Sequence, residues 1–263
     1  MAIEIAGAGV VVTGAGSGIG RALARGLAAA GARVVVNDLN VKAATAVAEE
    51  IGGYPAAGDV STAVGVHDLV DAAREYLGEV DIYCSNAGIA TGAGPDAPDE
   101  AWQQSWDVNL MAHVRAAREL LPAWLERGRG CFVVTASAAG LLTMLGTATY
   151  SVTKHAAESY AEWLAATYAH RGLVVHCICP QGVRTNMLAQ SGEAGKVVLQ
   201  AAAIEPEQVA EALLAALASG TFLVLPHPEV HAYYQGRATD PDRWLRGMNR
   251  MQQRIEEVER GMA

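Results

Sequence analysis

Residues 9–20 read GVVVTGAGSGIG, in which a run of valines passes directly into a turn that contains four glycines. The run from Gly9 to Thr13 predicts a buried strand of a parallel sheet, because such strands are apolar on both faces. From Arg21 to near Gly31, an alanine- and leucine-rich segment predicts a helix. A glycine turn between strand and helix presents backbone N–H groups to a phosphate, although glycines also serve ordinary tight turns. The stretch predicts an α/β fold with a phosphate-binding turn.

The rest of the chain alternates apolar strand-like segments with helical ones, which predicts a parallel sheet of about seven strands covered by helices on both faces. Further strands are expected at Arg33–Asn37, in a weak segment ending at Asp59-Val60, and at Val80–Ser85, Cys131–Ser137, Leu173–Cys179 and Thr221–Leu225. Helices are expected at Val41–Ile51, Ser61–Leu77, Pro98–Arg127, from Thr149 to about Arg171, and at Pro206–Ala218.

The C-terminal part differs in pattern, so we expect one main unit at residues 1–226 and an extension at 227–263. Three prolines indicate a linker, and Asp242–Arg260 predicts one helix. Its apolar positions form a narrow seam, which needs a partner in the substrate cleft or in another subunit: Trp244, Met248, Met251, Ile255 and Val258. The weakly periodic stretch Leu188–Ile204 is expected to be a mobile flap over a site.

Composition narrows the class of protein. The chain has 263 residues, of which 51% are hydrophobic and 18% charged, so it is long and apolar enough for one large core. The net charge of −9 argues against a nucleic-acid or anionic-membrane partner. Because no signal peptide or membrane-spanning run is apparent, we expect a soluble cytoplasmic protein. The four cysteines fit no zinc pattern, so we expect buried free thiols and no metal.

Ser137, Tyr150 and Lys154 form the strongest candidate for chemistry. Residues four apart are neighbours on a helix, so Lys154 can set its ammonium beside the Tyr150 hydroxyl. A phenol titrates near about 10, and a nearby positive charge lowers that value. Such a Tyr can take a proton from an alcohol or return one to a carbonyl, while Ser137 holds the substrate oxygen. The alternative is a helix-face pair without function.

The second predicted strand runs into Asp38. A carboxylate at this strand tip is where an adenosine ribose 2′-hydroxyl is bound in dinucleotide-binding folds. It repels a 2′-phosphate, and neither Ser17 nor Leu39 offers a compensating cation. We therefore expect NAD in preference to NADP. The alternative is that Asp38 only caps the helix that starts near Val41.

Once these residues are placed, the chain from Gly7 to about Leu225 resembles the short-chain dehydrogenase/reductase family of the single-domain type. The motifs stand in the family's order: Thr13-Gly14-x-x-x-Gly18-x-Gly20, Asp59, Asn86-Ala87-Gly88, Asn109, Ser137, Tyr150-x-x-x-Lys154 and the Pro180 to Thr185 turn. Together these motifs are specific, whereas each alone is weak. The resemblance implies a Rossmann-like doubly wound parallel sheet in a single domain with a C-terminal helical tail.

The resemblance also implies roles for these residues. Tyr150 would be the catalytic acid/base, and Ser137 would orient the substrate oxygen. Lys154 would lower the Tyr150 pKa and bind the nicotinamide ribose, and Asn109 would hold a water in a proton relay. Asn109 also admits a bland interpretation as a core residue whose side chain is satisfied by backbone. The positions implied for cofactor binding are Gly14, Ser17, Gly18, Ile19, Gly20, Asp38, Leu39, Asp59, Val60, Asn86, Ala87, Gly88, Tyr150, Lys154, Pro180, Gly182, Val183 and Thr185.

Three positions depart from the family's usual pattern. Ser85 stands where a second Asn is common before Asn86, and Ala136 where Ser is common before Ser137. Gln181 stands where Gly usually follows the proline of the Pro180 turn, so it places a bulky polar side chain near the nicotinamide.

The positions expected to face a substrate are mostly apolar, which suits a hydrophobic, cyclic or aromatic secondary alcohol and its ketone. They are Ile89, Ser137, Leu141, Leu142, Met144, Leu145, Tyr150, Gln181, Met187 and Leu188. No obvious cationic pair for an anionic substrate accompanies them, although Arg184 and Lys196 are near.

The favoured hypothesis is an NAD-dependent alcohol dehydrogenase or ketoreductase, because the proton-handling residues are all present. The alternative is a non-catalytic NAD(H)-binding sensor or scaffold on the same fold. Asp38 argues against an NADP-dependent reductase. The resemblance also implies a homo-oligomer, a dimer or tetramer formed by the long helices.

Overall fold

Seven strands form one parallel sheet in the order β3-β2-β1-β4-β5-β6-β7. The structure is a computed structural model that describes residues 3–91, 94–191, 199–200 and 202–261. The strands are β1 Gly9–Val12, β2 Arg33–Val36, β3 Tyr54–Pro55, β4 Ile82–Ser85, β5 Gly130–Thr135, β6 Leu173–Ile178 and β7 Leu223–Val224. The predicted doubly wound parallel sheet is confirmed.

Helices cover both faces of this sheet. They are α1 Gly18–Ala29, α2 Val41–Ile51, α3 Ala63–Leu77, α4 Asp99–Trp106, α5 Ala112–Arg127, α6 Ala139–Leu142, α7 Ala148–Tyr168, α8 Asn186–Ala189, α9 Pro206–Ser219, α10 Glu229–Thr239 and α11 Pro241–Glu259. A π-helical turn, Asp107–Met111, joins α4 to α5. Successive strand residues point to opposite faces, so Val11 packs into one core cluster while Val10 and Val12 pack into the other.

Several boundaries differ from the predictions, and two of the differences concern residues that line the cavity described below. Helix α1 begins at Gly18 rather than Arg21, because the end of the glycine turn already forms the first helical turn. Strand β3 ends at Pro55, so the predicted strand ending at Asp59-Val60 is wrong. Asp59 instead lies in a turn, in which its carboxylate accepts a hydrogen bond from the Ser61 amide at 2.9 Å.

The predicted proline linker is also wrong, because residues 229–239 form helix α10. Pro228 is the residue that precedes α10, and Pro241 occupies the first turn of α11. Proline is tolerated there because the first helical N–H groups have no intrahelical partner. The prolines therefore start two helices in the extension, where one helix was expected.

Helix α11 packs back onto the main unit rather than extending away from it. Ile255 is buried, and Trp244 packs against the core cluster that includes Val11. Residues 192–198 and 201 of the predicted flap at Leu188–Ile204 lie outside the described residues. The start of the flap belongs to α8, and Ile204 forms a parallel bridge with Val183.

Two absences and one prediction concern the described residues rather than one element of the fold. In the part that the structure describes, no helix is both long and apolar enough to cross a bilayer. The same residues contain no group of His, Cys, Asp and Glu arranged to hold a metal ion. The prediction that all four cysteines are buried free thiols is confirmed.

Candidate active site

A cavity of about 1710 Å³ opens at the carboxyl ends of the strands. It lies where the strand order reverses between β1 and β4, which is where ligands bind in open α/β sheets. Its wall contains every residue predicted for the cofactor: Gly14, Ser17, Gly18, Ile19, Gly20, Asp38, Leu39, Asp59, Val60, Asn86, Ala87, Gly88, Tyr150, Lys154, Pro180, Gly182, Val183 and Thr185. It also contains most of those predicted for the substrate: Ile89, Ser137, Leu142, Met144, Leu145, Tyr150, Gln181, Met187 and Leu188.

Close packing requires the glycines of the first turn. A Cβ at Gly20 would lie 2.1 Å from the Gly14 carbonyl oxygen and 2.6 Å from Nδ2 of Asn86. Thr13 ties the same turn to the end of β4, since its hydroxyl accepts from the Asn86 and Ala87 amides at 2.9 and 3.0 Å. The ends of β1 and β4 are thus held together beneath the turn.

The N-terminus of α1 points at the cavity with its amides available. Ser17 is the N-cap residue, but its side chain makes no capping hydrogen bond, and the first turn contains no acidic residue. The backbone N–H groups and the helix dipole therefore favour an anion at this point. A Cβ at Gly18 would lie 2.9 Å from the Thr185 side chain, so Gly18 lets the two cavity walls approach closely. This cradle fits the pyrophosphate of a dinucleotide.

Asp38 is held at the rim of the cavity by backbone amides. Its carboxylate accepts from the Gly16 and Asn40 amides, both at 2.9 Å. The residue that caps α2 is Asn40, whose side chain accepts from the Ala43 amide at 3.2 Å. The alternative interpretation of Asp38 as the cap is therefore wrong. The exposed side chain of Leu39 adds an apolar surface beside the carboxylate.

Helix α7 carries Tyr150 and Lys154 on the face that lines the cavity. The helix begins at an N-cap Thr147, whose hydroxyl accepts from the Tyr150 amide at 3.4 Å. Lys154 is 2% exposed, its Nζ lies 5.7 Å from the Tyr150 ring centroid, and it donates to the Thr135 carbonyl at 2.8 Å. That bond fixes the ammonium at the end of β5.

Ser137 is buried in the bend that follows β5. Its hydroxyl accepts from the Ala139 amide at 3.1 Å and lies 3.4 Å from the Pro180 carbonyl, to which it donates. The serine therefore links the β5 bend to the turn after β6. Both segments line the cavity, so the hydroxyl has a fixed position beside Tyr150.

Burial dominates the proton affinities at this site. It raises the pKa of Tyr150 above 10.0, while the Ser137 hydroxyl acts in the opposite direction. It lowers the pKa of Lys154 from 10.5 to about 8. The expected lowering of the Tyr150 pKa is not found, because desolvation of a phenolate against a largely apolar wall outweighs the favourable interactions.

Asn109 lies behind the cavity wall and is fully buried. Its Oδ1 accepts from the Ile89 amide at 2.9 Å, and its Nδ2 donates to the Ile89 carbonyl at 2.9 Å and to the Thr153 hydroxyl at 3.0 Å. Its side chain is thus satisfied within the protein, as the bland interpretation expected. A direct contact with a ligand would involve its backbone rather than its amide.

The π-helical turn around Asn109 also brings a buried histidine beside the site. His113 Nδ1 lies 2.6 Å from the Ser85 hydroxyl, whereas its Nε2 has no hydrogen-bond partner among the described residues. Burial first, and then the charge of Lys154, lower the His113 pKa from 6.5 to about 3. The ring is therefore neutral at physiological pH. The sequence reasoning noticed Ser85 as a departure but missed its partner.

The prediction that Leu141 faces the substrate is wrong. Leu141 is 2% exposed, packs into the core and does not line the cavity. The short helix α6 turns its side chain inward and its carbonyl outward, where the carbonyl accepts from Arg237. The next leucines in the chain, Leu142 and Leu145, do line the cavity.

The substrate cleft was one of two partners expected for the apolar seam of the tail helix, but helix α10 was not expected. Helices α10 and α11 supply a large part of its outer wall: Glu229, Ala232, Tyr233, Gln235, Gly236, Thr239, Asp240, Arg243, Trp244, Gly247, Met248, Arg250 and Met251. The predicted seam of Trp244, Met248 and Met251 was the signal that could have located this wall. Arg184 pairs with Glu205 at 3.0 Å and lies outside this cavity, and Lys196 is outside the described residues.

Comparisons with known proteins agree with this geometry. A family model described as short chain dehydrogenase matches residues 8–196. The chain is 34% identical over 232 residues to 1-deoxy-11-beta-hydroxypentalenate dehydrogenase of Streptomyces avermitilis, covering 83% of this chain and 84% of that protein. It is 34% identical over 210 residues to cyclohexanol dehydrogenase of an Acinetobacter species, covering 76% and 84%. A solved short chain dehydrogenase/reductase from Burkholderia phymatum in complex with NAD superposes with a TM-score of 0.83 at 28% identity, covering 91% and 96%.

Proposed function

The chain belongs to the short chain dehydrogenase family, and from that premise we propose that it is an NAD-dependent oxidoreductase acting on a hydrophobic secondary alcohol and its ketone. One observation carries the proposal. Ser137, Tyr150 and Lys154 line the same cavity as the glycine turn at the start of α1. A substrate oxygen at the serine and a dinucleotide on the turn would thus share one cavity.

The names of the relatives support the substrate class. One relative is named for the oxidation of a hydroxypentalenate and another for that of cyclohexanol. For this chain we propose a cyclic secondary alcohol, because apolar side chains such as Leu142, Met144 and Met248 line the substrate end of the cavity. Such walls favour a ligand that is largely hydrocarbon.

The residues that we assign to the cofactor line one cavity. The turn Gly14–Gly20 would hold the pyrophosphate, Asp38 the adenosine ribose, and Lys154 the nicotinamide ribose. Val183 and Thr185 would face the carboxamide. When bound, NAD supplies the hydride chemistry that no side chain can supply. The preference for NAD follows from Asp38, whose carboxylate would repel a 2′-phosphate.

Proton transfer falls to Tyr150. In alcohol oxidation the phenolate takes the hydroxyl proton, and in ketone reduction the phenol returns a proton to the carbonyl oxygen. Ser137 holds that oxygen by a hydrogen bond. At neutral pH the Lys154 ammonium is charged, since its pKa is about 8, and its Nζ lies 5.7 Å from the Tyr150 ring centroid. We assign it the role of stabilising the phenolate during the reaction. Asn109 would contribute its backbone carbonyl to a water-mediated proton path.

We also propose that the chain self-associates through α7, on which Val152 and Trp163 are exposed eleven residues apart and therefore on one face. A second copy of the same helix is the partner that would cover this face. Light scattering that gives the mass of a monomer at micromolar concentration would contradict this proposal.

The decisive experiment compares the wild type with Tyr150→Phe. NADH and NADPH binding are measured by fluorescence titration, and turnover is measured on a panel of cyclic and aromatic secondary alcohols. We expect both proteins to bind NADH more tightly than NADPH. Turnover should be at least a hundredfold lower in the variant than in the wild type. Tight NADH binding without turnover in the wild type would favour a sensor. A preference for NADPH would contradict the role given to Asp38.

A further inference from the structure

Helix α11 brings two arginines to the wall of the cavity. Arg243 and Arg250 both line it, on the same face as Trp244, Met248 and Met251. The partner of this helix was left open between the substrate cleft and another subunit, so these arginines were not expected in the cavity wall. The outer wall thus combines an apolar stripe with two guanidinium groups.

The two arginines are seven residues apart, which corresponds to about 10.5 Å along the helix axis. Gly247 lies between them, and a Cβ built there would meet only Nη2 of Arg250, at 3.8 Å. The Arg250 guanidinium therefore leans back over Gly247 towards the Arg243 end of the helix, in the direction usual for long side chains on helices. A glycine inside a helix is unfavourable relative to alanine, yet here it leaves an open notch beneath the guanidinium.

Two carboxylates, those of Asp240 and Glu229, line the same wall and would oppose the binding of an anion. Asp240 is committed to α11 as its cap, since Oδ1 accepts from the Arg243 amide at 2.9 Å. Glu229 stands in the first turn of α10. A neutral substrate would meet a wall in which these charges balance, whereas an anionic substrate would interact favourably with the guanidiniums and unfavourably with Glu229.

Building on the proposed function, we propose that the substrate is an alicyclic secondary alcohol that carries a carboxylate remote from its carbinol carbon. The carbinol oxygen lies at Ser137 and Tyr150, the hydrocarbon body lies along Trp244, Met248 and Met251, and the carboxylate binds Arg243 and Arg250. Guanidinium groups suit this task, because they are always charged and pair with carboxylates in a planar, bidentate fashion.

The test uses cyclohexanols that carry a carboxylate on alkyl chains of increasing length, each paired with its methyl ester. The ratio of kcat/KM for acid over ester is measured in the wild type, in the double variant Arg243→Gln/Arg250→Gln and in the matched control Arg246→Gln/Arg254→Gln, whose arginines lie on α11 outside the cavity wall. We expect the ratio to exceed ten at one chain length, to fall at least tenfold in the first variant through KM, and to persist in the control.

A further variant tests whether the negative charge of Glu229 opposes an anionic substrate. Glu229→Gln should raise the acid preference, because it removes the carboxylate that opposes an anion. An acid-to-ester ratio near one at every chain length would overturn the carboxylate proposal, and so would a ratio that the arginine variant leaves unchanged. Turnover of the esters would still support the proposed dehydrogenase activity.

Calorimetry of cyclohexylalkanoates binding to the NADH complex separates the two proposals if no alcohol is turned over. Binding that weakens at least tenfold in Arg243→Gln/Arg250→Gln, with NADH affinity unchanged, would support the carboxylate site even if the proposed reaction failed. Failure of the wild type to bind any member of the series would overturn the proposed carboxylate site.

Discussion

The guanidinium of Arg237 in α10 lies 3.1 Å from Nε2 of His155, the residue that follows Lys154 in α7. His155 Nδ1 is 2.8 Å from the Ser151 carbonyl, so Nδ1 carries the proton and Nε2 accepts from the arginine. Arg237 also donates to the Leu141 carbonyl. One side chain thus connects the C-terminal helices to the helix that bears Tyr150.

Arg237→Met should loosen this connection while keeping the apolar part of the side chain. We expect the KM for alcohol to rise several-fold with the NADH dissociation constant unchanged, because the contacts hold α10, whose Tyr233 and Gly236 line the cavity. Loss of two hydrogen bonds should lower the stability by about 1–3 kcal/mol. Arg246→Met on α11 is the matched control, and steady-state kinetics with thermal unfolding provide the readout. Equal KM values in the two variants would show that the connection does not order the substrate wall.

Gly20→Ala should abolish NADH binding and destabilise the fold. The added Cβ would lie 2.1 Å from the Gly14 carbonyl oxygen, a backbone atom that cannot move without opening the turn. Gly26→Ala in the same helix is the matched control, because its Cβ would meet side-chain carbons at 3.5 and 3.6 Å. The control should gain up to about 1 kcal/mol in helix propensity and bind NADH normally. Normal NADH affinity in Gly20→Ala would contradict the packing argument.

Asp38→Ser combined with Leu39→Arg should reverse the cofactor preference. The first change removes the negative charge that would face a 2′-phosphate, and the second supplies a cation at an exposed neighbouring position. We expect the ratio of NADPH to NADH affinity to rise at least a hundredfold. Asn40→Ala, which removes the cap of α2 but leaves Asp38 charged, controls for local loosening of the β2–α2 turn. If the NADPH-to-NADH affinity ratio were as low in the double variant as in the control, residues other than Asp38 and Leu39 would have to determine the cofactor preference.

The cofactor half of the cavity was predictable because its residues follow strands directly. Parallel strands end at one edge of the sheet, so Gly14, Asp38 and Asn86 must meet there whatever the loop details. The substrate half depends on contacts between distant segments. The prolines at 228 and 241 are compatible with either a linker or helix starts, and only packing against the core decides between them. Leu141 illustrates the same limit. It lies in helix α6, whose four residues are too few to show a hydrophobic period in the sequence.

His113 should make the protein less stable in acid. Its pKa is lowered from 6.5 to about 3 by burial and by the nearby Lys154 charge, so the unfolded chain binds one more proton than the folded chain between these values. Stability is therefore full above pH 6.5 and is lost as the pH falls towards 3. At pH 4.5 the loss from this residue is roughly 3 kcal/mol, because each pH unit between the two pKa values corresponds to about 1.4 kcal/mol.

Urea unfolding of the wild type and His113→Gln at several values of pH tests this. Glutamine cannot titrate but retains polar groups for Ser85, so the variant should have a shallower decline in unfolding free energy between pH 6.5 and 4.5, whatever its stability at neutral pH. Some decline will remain, because burial also lowers the pKa of His176. If His113→Gln kept the full wild-type slope, His113 would have to be protonated in the folded chain, and the assignment of a neutral ring beside Lys154 would be wrong.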